Sequence, residues 1–129
     1  MAVDYAKLHV KAVCSKNSDY SSPVSVMAPA AYTLTPDEYI HTELQVDTSS
    51  GTTLTTSILS SATLLVVKNN DSANYVTATF RSAGNGTDNN IIRIAAGGFL
   101  AVSDYTVANN LLLVANSAAC ECEVFIVGT

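Results

Sequence analysis

Short apolar runs punctuated by turn residues constrain this chain more than any other feature, and they are densest between Ile91 and Gly128. The stretch IIRIAAGGFLAVSDYTVANNLLLVANSAACECEVFIVG reads as strand, Gly-Gly turn, strand, short connection, strand, Asn/Ser/Ala turn and strand. In the last strand Ala118, Cys120, Cys122, Val124 and Ile126 share one parity, with Glu121 and Glu123 on the other. Such alternation gives one buried and one solvated face. Phe125 and Val127 then make the end of that strand apolar on both sides, as do Leu64 to Val67, Ile91 to Ile94 and Leu111 to Val114 elsewhere. Two-sided runs belong to strands covered on both faces.

The same periodicity extends back along the chain. Ala6, Leu8, Val10, Ala12 and Cys14 alternate with Tyr5, Lys7, His9 and Lys11, which predicts a half-buried first strand. A polar loop, SKNSDYSS, leads to Pro23 and a second extended stretch that Pro29 confines to an edge or an end. Thr35-Pro36-Asp37-Glu38 has the form of a helix start, yet the alternation from Tyr39 to Val46 favours a single turn running into a strand. From Thr48 to Thr63 eleven of sixteen residues are Ser or Thr, with Gly51 expected at a hairpin turn before Thr52 to Ile58. Asn69-Asn70-Asp71-Ser72 reads as a turn, Tyr75 to Arg81 as a strand with Val76, Ala78 and Phe80 inward, and Ser82 to Asn90 as a loop. The expectation is an all-β chain, an antiparallel β-sandwich of jelly-roll type, forming one domain over residues 1–129. The N-terminal strands, residues 5–28, are either part of it or an arm that packs on a neighbour.

Composition narrows the function classes. Only 13% of the 129 residues are charged, about half the usual quarter, and the net charge is −5. Six cations, Lys7, Lys11, Lys16, Lys68, Arg81 and Arg93, are scattered singly, so no basic stripe exists to neutralise phosphates and no nucleic-acid partner is expected. No apolar run approaches the roughly 18 residues of a membrane span, and MAVDYAKLHVKAV lacks the apolar segment of a signal peptide. A protein folded in a cytoplasm, without a membrane partner, is the expectation. Cys120 and Cys122, two apart on a strand, lie about 6.6 Å apart between Cα atoms with poorly placed Cβ atoms, so they read as small buried hydrophobes rather than a disulfide. Cys14 is the third cysteine, and three reduced thiols agree with a reducing compartment.

A search for catalytic chemistry finds no nucleophile elbow, zinc-protease helix, P-loop or dinucleotide fingerprint. His41 and Glu43 share a strand face, but no third ligand or nucleophile accompanies them. Asp88 among asparagines lacks the repeated acidic spacing of a Ca²⁺ loop, and the sequons at Asn70 and Asn85 read as turn chemistry. The expectation is a non-enzymatic protein with no catalytic residue, no metal and no cofactor.

The pattern LLVVKNND, NYVTATF, NIIRIAAGGFL and LLLVANSAACECEVFIVG, covering roughly Leu64 to Gly128, resembles small β-sandwich structural proteins of tailed bacteriophages, the head decoration or cement class. The resemblance implies attachment to the outside of a capsid shell, the major capsid protein as partner, and an often trimeric habit. It carries over no individual binding residue. A two-layer sandwich needs only one apolar face per strand, so the surplus faces are candidates for a subunit interface: Leu65, Val67, Ile92, Leu112, Val114, Phe125 and Val127. The alternative is cover within the chain, from the Ser/Thr segment or the N-terminal strand. A second functional class also stays open, a receptor- or glycan-binding module of a head fibre or tail using the Ser82 to Asn90 loop, and a third is a tail or collar building block.

Overall fold

A computed structural model describes residues 6–15, 23–34, 38–54, 62–81, 90–103 and 110–128. They form ten strands: β1 (Ala6–Ser15), β2 (Pro23–Leu34), β3 (Glu38–Val46), β4 (Thr52–Leu54), β5 (Ala62–Asn69), β6 (Val76–Arg81), β7 (Asn90–Ile94), β8 (Phe99–Val102), β9 (Asn110–Ala115) and β10 (Cys120–Gly128). Every pairing is antiparallel. Sheet I has the order β3-β10-β5-β8, sheet II the order β4-β9-β6-β7, and β1 with β2 makes a separate ribbon.

Counting β3 to β10 as one to eight, the two orders become 1-8-3-6 and 2-7-4-5, and the chain changes sheet at every connection except β6 to β7. This is the connectivity of a jelly roll, as the strand spacing predicts. Alternation decides which side chains meet between the sheets. Sheet I sends in Val46, Leu65, Val67, Cys120, Cys122, Val124 and Ile126, and sheet II sends in Leu54, Val76, Ala78, Ile94, Leu111, Leu113 and Ala115, all buried in one core. Each large aliphatic side chain so removed from water contributes about 1.5–3 kcal/mol. Both described cysteines, Cys120 and Cys122, are free and fully buried, acting as small hydrophobes.

The ribbon answers part of the question of surplus apolar faces. Ala6 forms a second buried cluster with Leu64 and Val127, flanked by Leu8, Val66 and Phe125, so β1 lies on the outer face of sheet I. Leu64, Val66, Phe125 and Val127 are therefore apolar because the chain's own N-terminal strand covers them. Pro29, expected at an edge or an end, lies within β2, an edge strand of the two-stranded ribbon: the register jumps from Val10↔Ala30 to Ala12↔Met27, so an extra residue of β2 is accommodated beside the proline. A bulge is where a ladder tolerates a residue without an N–H.

Gly51 also differs from expectation. Its φ of 69° suits a left-handed bend, but the bend carries the chain from β3 in sheet I to β4 in sheet II instead of closing a hairpin. The Thr35–Asp37 turn, the 55–61 segment and the 82–89 loop lie outside the described residues, as does the side chain of Cys14.

Candidate functional site

The described connections gather at one end of the sandwich, and a single buried polar residue organises them. Asn69, expected in a turn, is the last residue of β5 and is wholly buried. Its Nδ2 donates to the carbonyls of Asn74 (2.8 Å), Ala95 (3.2 Å) and Ile94 (3.3 Å), and its Oδ1 accepts from the Asp71 N–H at 3.0 Å. The backbone N–H of Asn69 donates to Gly98 O, and that of Asn70 to Glu121 O, both at 2.9 Å. Two connections, β5 to β6 and β7 to β8, and the start of β10 are thus tied to one side chain and its neighbour.

Asp71 holds the next layer. Its Oδ1 accepts from the N–H groups of Asn74 (2.6 Å) and Ala73 (2.7 Å), and Asn74 Oδ1 in turn accepts from Ser117 Oγ at 2.6 Å. Those two backbone donors, Asn74 first, hold the Asp71 carboxyl below its ordinary value. The network satisfies its own members: no buried side-chain nitrogen or oxygen among the described residues lacks a partner. Its polar atoms face each other, and the cluster is a clasp.

On the outer face of sheet I the charged side chains lie beyond the end that β1 covers. Glu123 is paired in register with Glu43 on one side and Lys68 on the other. Like charges opposite each other repel, and His41 relieves this by donating from Nε2 to Glu123 Oε1 at 2.7 Å. The His41 hydrogen bond is the main cause of the lowered pKa of Glu123. The partner of His41 is therefore Glu123, across the strands and 82 positions away, rather than Glu43 on its own strand. Among the described residues no three His, Cys, Asp or Glu side chains converge as metal ligands would. Burial lifts the Cys122 thiol to about 11, with Cys120 and Asp71 adding smaller upward pushes, so neither core thiol is primed as a nucleophile.

The outer face of sheet II is different in kind. Register places Thr53, Leu112, Val114, Thr77, Thr79, Ile91 and Arg93 there, with Arg93 folded over the Tyr75 ring at 4.6 Å. Leu112 and Val114 are half-buried and Ile91 is exposed. No family model, curated protein or solved structure matches the chain.

The structure separates the seven residues expected at a subunit interface. Leu65 and Val67 point between the sheets and are fully buried, so they belong to the core and not to an interface. Val127 is fully buried and Phe125 half-buried on the outer face of sheet I, in the cluster that β1 completes. Ile92 has the inward parity of Ala78 but stays 41% exposed, because β7 is the edge strand of sheet II. Of the seven, Leu112 and Val114 alone lie on the outer face of sheet II, half-buried, with the Gly51 bend against both side chains. Parity within a run shows that two faces are apolar; it does not show which of them turns inward.

Proposed function

We propose that this chain is a non-enzymatic structural protein of a virion, of the head decoration or cement class, which binds the outside of a capsid shell as a trimer and bridges major capsid subunits. The observation that carries the proposal is the outer face of sheet II, where Leu112, Val114 and Ile91 are set among threonines with little charge. Such a surface suits broad apolar contact with a rigid neighbour, with affinity drawn from buried anchors more than from ion pairs. The jelly roll supports the reading as a fold that capsid domains use, although one fold serves many functions. The protein folds in the host cytoplasm and ends on the virion surface, where added contact area opposes internal pressure.

The test is retention on purified empty shells. Saturable binding, together with a higher temperature of shell disruption, is the expected result, and Leu112→Asp should weaken both. Absence of retention above a control protein would sink the proposal. A glycan-array signal in that case would shift the reading to a receptor-binding module.

A further inference from the structure

Every large hydrophobic side chain left exposed among the described residues stands on an edge strand: Tyr39 (41%) on β3, Ile91 (59%) and Ile92 (41%) on β7, and Phe99 (66%) on β8. Natural edges are usually blunted by lysine, proline or a bulge. Neither β3 nor β8 contains Lys or Pro, and their ladders show no register shift beside those residues. The connection Ala95 to Gly98 keeps β7 and β8 on the same side of the sandwich, so that side carries three of the four exposed groups, and β3 on the opposite side carries the fourth.

Charge distinguishes the two sides. A row across sheet I reads Glu43, Glu123, Lys68, Phe99 from β3 to β8. Acidic groups sit toward the β3 edge, with Asp47 exposed just beyond it, whereas Lys68 neighbours β8 and Arg93 lies on β7. Pairing β3 with a second β3 would oppose carboxylates, whereas β8 carries no charged side chain of its own and has Lys68 one strand behind it. Pairing unlike edges joins acid to base. Direction agrees: three successive antiparallel pairings make β3 and β8 antiparallel, so a neighbour that continues the sheet presents its β3 antiparallel to β8.

We propose that copies of this chain associate head to tail, the β8 edge of one against the β3 edge of the next, so that sheet I runs on across the junction. Heterologous contacts of this kind close into rings when the rotation permits. The inference rests on the assembly reading above only in supposing self-association; the shell plays no part in it.

The test uses single cysteines introduced into the full chain in a Cys14→Ser background, Phe99→Cys on β8 and Gln45→Cys on the outer face of β3. Differently tagged copies of the two variants are co-expressed and treated with a short bismaleimide. A cross-link between unlike variants, with none in either variant alone, is the expected result. In parallel, Phe99→Asp should lower the mass measured by light scattering to that of one chain with an unchanged circular dichroism spectrum, since the ring is exposed. A cross-link within one variant alone would show like edges meeting and overturn the proposal, as would a parent chain that is monomeric at every concentration. Shell retention is a separate measurement, so loss of the capsid reading and loss of the edge contact are distinguishable.

Discussion

The side chain of Asn69 makes four hydrogen bonds, all to the described connections. Truncating it removes a donor from the carbonyls of Ile94, Ala95 and Asn74 at once; Ala95 O keeps the Gly98 N–H, but the buried Ile94 O loses this donor, and a buried polar group left without a partner costs about 1–3 kcal/mol. Asn69→Ala should lower the unfolding free energy obtained from urea melts by an amount in that range, and Asn69→Leu should do no better despite its greater hydrophobicity. Asp71 acts through charge. Its pKa is lowered from 3.8 in the folded chain, so its ionised form stabilises the fold above about pH 4, and that contribution disappears as pH falls through the lowered value. Acid titration of Asp71→Asn, followed by circular dichroism, should show a weaker loss of stability below pH 4 than the parent. Neither role was visible in the sequence, where Asn69 to Ser72 looked like ordinary turn chemistry. The signal lay in position: an Asn directly after LLVVK occupies the inward parity of its strand, where a polar side chain must find partners.

At the scale of elements, two glycines with the same backbone conformation should respond differently to substitution. Gly97 (φ 71°) has no atom within 4 Å of where a Cβ would stand, so Gly97→Ala meets only the left-handed penalty of about 1–2 kcal/mol. At Gly51 (φ 69°) that Cβ would lie 2.7 Å from both Leu113 O and Val114 Cγ2, and the crossover to β4 would have to move. Gly51→Ala should therefore cost clearly more in thermal melts. The ribbon provides another element-level prediction. Leu8→Asp places a charge against Val66 and Phe125, so β1 should release and become protease-sensitive while a resistant fragment beginning near β3 persists. Strand existence was legible for most of the chain, because alternation survives in short windows. The sheet to which each strand belongs was not, since β3 and β4 are neighbours in sequence but lie in different sheets.

For the whole molecule, the two apolar faces of the LLVV and LLLV runs have separate fates. Val67 faces the core and Leu112 an outer surface, although sequence periodicity treats them alike. Val67→Asp should leave the chain unfolded at 25 °C, since an uncompensated buried charge consumes much of a typical 5–15 kcal/mol stability. Leu112→Asp should retain the far-ultraviolet spectrum and a cooperative melt. The jelly roll itself was readable from strand number and spacing. The faces were not, because assigning them requires partners distant in sequence, such as Phe125 with His41 and Val66.

The place of β10 between β3 and β5 bears on how the protein reaches this state. Before β10 arrives, β3 has no strand beside it in sheet I, and the core lacks Cys120, Cys122, Val124 and Ile126. Intermediates therefore have little to hold them, and the fold closes late, through pairings that span most of the described chain. Topologies dominated by such distant pairings fold in about milliseconds to seconds. During that interval the two-sided runs are exposed together, so the yield on refolding should fall as chain concentration rises.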